Sequence, residues 1–267
     1  MSSDIYKMVN SYVFNPNKLK EEEKYKKNHF LISKHELTIS YFEYIPDSNE
    51  SQYTIIWSHN YKMNAYENSE FFKKLSNQLF ARIIVYDYPG YGFSKGDVCE
   101  HNCYKSLSIV IDYIKDKFSL TYNQIYLIGH SLGSAIVCDF LIHNKNWITP
   151  PILITPFKSA VEVATNTILY SSVIEFAKLF INVDDYDILK IKDKIYNITL
   201  PIIFVHSLTD EMINIKQAKF LYNNCVDKYF DPMWHDFGNH EQTIFNVPFY
   251  NIFSNIFDYQ IYVLKNK

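Results

Sequence analysis

A mostly parallel α/β sheet, covered by helices on both faces, is predicted by three features of this chain. Short apolar runs of strand length alternate with longer segments whose apolar residues recur at helical spacing, the pattern of parallel strands joined by crossover helices. One such run, Gln124-Ile125-Tyr126-Leu127-Ile128, passes straight into Gly129-His130-Ser131-Leu132-Gly133, followed by Ile136, Val137, Phe140 and Leu141 at helical spacing. Only six glycines occur in 267 residues: Gly90, Gly92 and Gly96 after one strand, Gly129 and Gly133 around Ser131, and Gly238 two residues before His240. A chain that otherwise avoids glycine keeps it where backbone must turn tightly or come close to something.

The 48% hydrophobic content suits one large core. We expect an arm over 1–30 and a single domain over 31–267, with a small cap inserted at about 159–198. The net charge of −3, with no basic stripe, argues against nucleic acid as a partner. Cys99, Cys103, Cys138 and Cys225 are too few and too irregular for a disulfide framework, and no secretory signal opens the chain, so the expected compartment is cytoplasmic. No run of 18 apolar residues and no myristoylation or prenylation signal occurs, so no stable membrane anchor is expected.

In chain order, the charged stretch Lys18–Lys24 reads as a solvated helix or arm. Leu37–Tyr44 alternates as an early antiparallel strand and ends at the turn cluster Pro46-Asp47-Ser48-Asn49. Tyr53–Ser58 is nearly all apolar, as expected of a strand covered on both faces, and delivers His59-Asn60-Tyr61 to a loop. A helix carrying Phe71, Phe72, Leu75 and Leu79 precedes a strand over Arg82–Tyr86. Asn102 is the expected cap of the next helix, whose stripe is Tyr104, Leu107, Val110, Ile111, Ile114 and Phe118. After the strand leading to Ser131, strands are expected at Pro151–Pro156 and Pro201–His206. The 159–198 stretch between them is too long for a simple crossover. It reads as a crossover helix plus a cap, with Ile168, Leu169, Val173, Ile174, Phe176, Ala177 and Phe180 as candidate pocket walls or plain core. Lys216–Asn224 reads as a helix and Tyr229–Trp234 as a last strand. Phe245, Phe249, Phe253 and Phe257, four apart behind Asn246 as cap and Pro248, form a closing amphipathic helix.

Gly129-His130-Ser131-Leu132-Gly133 has the form of a nucleophile elbow, in which the serine is forced into strained backbone angles at the carboxyl end of the sheet. A serine hydroxyl is a weak nucleophile until a base takes its proton, and the base works best when a carboxylate fixes its tautomer. Both partners should follow later strands in the order acid, then histidine. Asp210 lies just past the 201–206 strand, with Glu211 as its rival. His240 follows the last strand, with His235 as its rival; Gly238 gives the His240 loop freedom to lean over the serine. The oxyanion of a tetrahedral intermediate needs backbone donors already aimed at it. The amide of Leu132 is one, and the other should come from the 59–61 loop, at Tyr61 or Asn60, with His59 bracing that loop and His206 a core histidine. Cys99-Glu100-His101-Asn102-Cys103 matches no standard zinc spacing, and no cofactor is implied.

These motifs together, Trp57-Ser58-His59, Tyr86–Ser94, the elbow, His206–Glu211 and Gly238-Asn239-His240, resemble the α/β-hydrolase superfamily over roughly residues 50–245. The likeness is to small intracellular serine hydrolases with minimal caps, which include protein depalmitoylases. The resemblance implies an α/β-hydrolase fold with Ser131 as nucleophile, Asp210 as acid and His240 as base. Two departures stand out: Asn60 occupies a position where relatives carry glycine, and no cysteine precedes Cys99. The expected function is hydrolysis of carboxylic ester or thioester bonds through an acyl-serine intermediate, on a small-molecule or lipid-like acyl ester or an acylated protein. The alternatives are an impaired hydrolase-fold binding protein, motivated by Asn60, or a peptidase.

Overall fold

Apolar residues at successive positions of a strand face opposite sides of the sheet, so a run such as Tyr53–Ser58 needs cover on both. The computed structural model, which describes residues 10, 13–20, 22, 26–34, 36–165, 182–236 and 238–265, supplies that cover. Its strands are β1 (His29–Lys34), β2 (Leu37–Tyr44), β3 (Tyr53–Ser58), β4 (Ala81–Tyr86), β5 (Ile125–His130), β6 (Ile152–Ile154), β7 (Ile203–Ser207) and β8 (Met233–His235). The helices are α1 (Ser69–Leu79), α2 (Glu100–Lys117), α3 (Leu132–His143), α4 (Ala160–Ala164), α5 (Ile191–Lys194), α6 (Ile215–Asn224) and α7 (Phe249–Lys265). The strands form one eight-stranded sheet in the order β1-β2-β4-β3-β5-β6-β7-β8. β1 and β2 run antiparallel to their neighbours and the rest are parallel, Ser58 pairing with Gly129 and Ser207 with His235 at the carboxyl ends.

Two apolar layers sandwich the sheet. Ile56, Ile84, Leu127, Leu153 and Phe204 pack with Leu107, Val110 and Ile114 of α2 and with Ile136 and Val137 of α3. Ile55, Trp57, Ile83, Val85, Ile128 and Val205 point the other way, onto Phe72 and Leu75 of α1 and Phe249, Ile252 and Phe253 of α7. Phe253 stacks on Tyr53, with ring centroids 5.2 Å apart.

Several boundaries differ from expectation, each for a local reason. β1 was not expected and straddles the boundary drawn between arm (1–30) and domain; its exposure hides any alternation, since Ile32 alone of its six residues is buried. β7 begins two residues late and β8 spans Met233–His235 only, because Pro201 and Pro232 have no amide to give a ladder. The residue capping α2 is Cys99; Asn102 sits inside the first turn, where its side-chain amide donates to the carbonyl of Asp97 at 2.9 Å. Asn246 ends a 3-10 turn, Thr243–Asn246, so Phe245 lies outside α7 and is half exposed, while Phe249 and Phe253 are buried. Of the 159–198 stretch, α4, the turn Val183–Tyr186, α5 and the turn Ile195–Asn197 are described. The candidate pocket walls Ile168, Leu169, Val173, Ile174, Phe176, Ala177 and Phe180 lie outside the described residues, as does part of Lys18–Lys24.

Candidate active site

The chain leaves β5 and enters α3 with no residue to spare. Ser131, between them, is held at φ 53° and ψ −112°, a left-handed conformation that a residue with a β-carbon adopts only under constraint. The constraint is close packing on both sides. A β-carbon on Gly129 would lie 2.6 Å from the carbonyl oxygen of Gly133, and one on Gly133 would lie 2.0 Å from that of Ser58. The two glycines therefore press α3 against β5 and against the end of β3. The Ser131 amide donates to the carbonyl of Ile154 at 2.8 Å, and the Ser134 hydroxyl donates to that of Gly129 at 2.9 Å. Its side chain thus stands at the carboxyl edge of the sheet, above the amino end of a 12-residue helix whose dipole favours negative charge there.

Asp210 and His240, 30 residues apart, meet at that edge. His240 Nδ1 is 2.7 Å from Asp210 Oδ2, and His240 Nε2 is 3.1 Å from Ser131 Oγ. The carboxylate's other oxygen, Oδ1, accepts the amides of Met212 and Ile213 at 2.9 and 2.8 Å, which locks the carboxyl plane. Burial pushes the Asp210 carboxyl up, but the hydrogen bond and charge of His240, the Ile213 amide and His206 outweigh it, and the net displacement is downward. Asp210 therefore stays ionised.

Glu211, the rival acid, has a different place: its carboxylate accepts the backbone amide of His240 at 3.0 Å. His235, the rival base, sits at the exposed end of β8. Gly238, at φ 92°, turns the chain between β8 and His240. Its carbonyl accepts the Ser207 hydroxyl at 2.6 Å, and the Thr209 hydroxyl donates to Asp236 at 2.8 Å, so the acid and histidine loops are stitched together. His206 is a core histidine, its Nε2 donating to the carbonyl of Ile213 at 2.9 Å.

Leu132 opens α3, and its amide has no acceptor among the described residues. Asn60 and Tyr61 lie on the loop after β3, beside the elbow because Ser58 abuts Gly133. Tyr88 and Tyr91 hold this loop by donating to the carbonyls of His59 (2.6 Å) and Tyr61 (2.9 Å). His59 is wholly buried, its ring packed at a tilt against Tyr88 with centroids 4.2 Å apart, as expected of a brace. Lys62 reaches Glu241 at 3.1 Å, an exposed pair that links the loop to the histidine loop. These tyrosine and glutamate roles were missed in the sequence; the glycine-rich Tyr86–Ser94 motif flagged the tyrosines without telling what they hold. A cleft of about 460 Å³ borders the site, walled among others by Asn60, Lys62, Met63, Glu67, Asn68 and Glu241.

Burial pushes His59 down to about 4; it also pushes His130 down to about 3, with the neighbouring His240 adding to the shift. Both rings are neutral in the folded protein near pH 7. Between those values and about 6.5 the unfolded chain binds the more protons, so stability present above pH 6.5 is lost as pH falls toward 4. Each ring removes about 2 kcal/mol by pH 5 on that reckoning. The urea midpoint is expected to drop steeply between pH 7 and pH 5, and a flat midpoint over that interval would show that the rings do not resist protonation. Among the described residues no cluster of three or more metal-ligating side chains occurs. No helix among them is long and apolar enough to cross a membrane.

The profile of the family described as Chlamydia CHLPS protein (DUF818) matches residues 25–243. A protein of Acanthamoeba polyphaga mimivirus named as an alpha/beta hydrolase is 33% identical over 181 residues, covering 67% of this chain and 64% of that protein. Alpha/beta hydrolase domain-containing protein 17C of Xenopus tropicalis is 25% identical over 190 residues, covering 71% of this chain and 56% of its own length. Both relatives are thus matched over less than two thirds of their length. Among solved structures, an esterase of Pyrococcus furiosus superposes with a TM-score of 0.62 at 19% identity, over 87% of this chain and 91% of that one, a likeness of fold. With a matching profile over most of its length, a mostly parallel sheet, a strand–elbow–helix at its centre and relatives named as alpha/beta hydrolases, the chain belongs to the Chlamydia CHLPS protein (DUF818) family and is a member of the α/β-hydrolase superfamily.

Proposed function

We propose that this chain is a serine hydrolase that cleaves carboxylic esters or thioesters through an acyl-Ser131 intermediate. The observation that carries the reading is the relay of 3.1 Å from Ser131 Oγ to His240 Nε2 and 2.7 Å from His240 Nδ1 to Asp210 Oδ2. His240 takes the serine proton as Oγ attacks the acyl carbonyl, then gives that proton to the departing alcohol or thiol. It next deprotonates water, which attacks the acyl carbon; the bond from that carbon to Oγ then breaks as His240 returns the proton to Oγ, releasing the carboxylic acid and restoring Ser131. Asp210, ionised and locked, holds the imidazole with its proton on Nδ1 and steadies the imidazolium. The amides of Leu132 and of Tyr61 or Asn60 receive the oxyanion. The substrates are lipid-like or small acyl esters or acylated proteins, handled in the cytoplasm, a placement that fits four unpaired cysteines.

A fluorophosphonate should label the native protein at a single residue, and peptide mapping should find the adduct on Ser131. A panel of acyl esters and thioesters graded by chain length, run beside amide substrates, should show turnover of the esters and little of the amides. Absence of an adduct, or an adduct elsewhere, would remove the nucleophile from the proposal, and preferential amide cleavage would make the enzyme a peptidase.

A further inference from the structure

Asn60 was the residue that motivated an impaired site, because it stands where the resemblance places glycine, the residue best suited to a left-handed backbone that strains most others. It is under no such strain: its φ is not positive. Its side chain is almost wholly buried, at 3% exposure, and closes the loop instead. Asn60 Oδ1 accepts the amide of Lys62 at 3.0 Å and that of Met63 at 2.9 Å, which is an Asx-type turn. The carbonyls of His59 and Tyr61 are taken by Tyr88 and Tyr91, and that of Asn60 lies 2.6 Å from His59 Nδ1. The loop's polar groups are therefore nearly all engaged. The amides of Asn60 and Tyr61 are left, donating to no acceptor among the described residues, at the end of β3 that Gly133 presses against α3.

We propose that Asn60 is a positioning residue whose side-chain carbonyl builds the oxyanion loop, holding the Lys62 and Met63 amides so that the Tyr61 amide is free to donate to the reacting oxygen. The inference rests on the acyl-Ser131 reading. Without Oδ1 the Lys62 and Met63 amides, the latter on a buried residue, lose their acceptor, and the loop must shift to find another. That shift carries the Tyr61 amide with it, at a moment when preorganisation matters most.

The test compares the native protein with N60A, N60S and N60G, using a short acyl thioester and a trifluoromethyl ketone. Ser131 Oγ adds to the ketone carbon as its proton passes to His240, and the resulting oxyanion occupies the same hole. In N60A, kcat should fall about 10- to 100-fold with KM within about twofold, less than the loss from deleting a donor outright. The ketone's inhibition constant should weaken by the same factor. N60S, whose hydroxyl can accept from the amides two and three residues on, should recover most of both. Unchanged kcat and inhibition in N60A, or a folded N60S no better than N60A, would overturn the role. Should N60A not fold, N60S against N60G reads the same difference, and equal rates in that pair overturn it. Fluorophosphonate labelling separates the two levels: no adduct on Ser131 removes the hydrolase reading itself, whereas normal labelling with an indifferent Asn60 removes only the positioning role.

Discussion

Replacing Ser131 with alanine should lower kcat toward acyl esters on the order of 10⁵- to 10⁶-fold and abolish fluorophosphonate labelling, while leaving the protein folded. The size follows from the site acting as a unit: without Oγ no acyl-enzyme forms, and His240 and Asp210 have no nucleophile to serve. Alanine fits the elbow as well as serine, since the glycines and not the hydroxyl set the close packing, and the serine's own anchor is its backbone amide on Ile154. The thermal midpoint should therefore stay near the native value. Retained turnover in a folded S131A protein would sink the covalent mechanism.

Asp210→Asn should cost about 10⁴-fold in kcat with little change in KM. The direction follows from which oxygen does what. Oδ1 accepts two amides, from Met212 and Ile213, and asparagine's carbonyl oxygen would keep both bonds. Its amide nitrogen would then face His240 Nδ1 in place of Oδ2, offering a proton where the ring now donates one. The imidazole would respond by carrying its proton on Nε2, the atom that must accept from Ser131. Glu211→Gln tests the division of labour between the adjacent acids, because Glu211 holds only the backbone amide of His240, and glutamine can still accept there. Its kcat should stay within about threefold of native on the stitched loop, far from the Asp210→Asn loss. Equal losses in the two variants would mean that the acids share the role.

Much of this arrangement is written locally. The elbow could be read because everything that makes it, an apolar strand, two glycines four apart and a helical stripe, lies within about twenty consecutive residues and concerns short-range sterics. The buried strands β3, β4 and β5 were equally plain, since cover on both faces demands unbroken apolar runs. β1 was not, because an edge strand with Ile32 as its one buried residue carries no periodic signal; only its pairing with β2 defines it. β8 was misplaced because three residues paired to β7 leave too short a pattern to read.

The amino-acid sequence by itself determined the chemistry on offer: one strained serine, an acid and a histidine in the right chain order, and glycine where two backbones touch. Tertiary structure alone decided what each of two neighbouring acids touches. Asp210 and Glu211 are adjacent along the chain, yet one carboxylate meets the His240 ring and the other its backbone amide. That choice depends on how the loop after β7 folds back onto the amides of Met212 and Ile213, a contact no residue pattern encodes. The same holds for Asn60, a substitution at a glycine position in the sequence and, once folded, the side chain that closes the turn, because the partners of a side-chain carbonyl are fixed by the path of the loop around it.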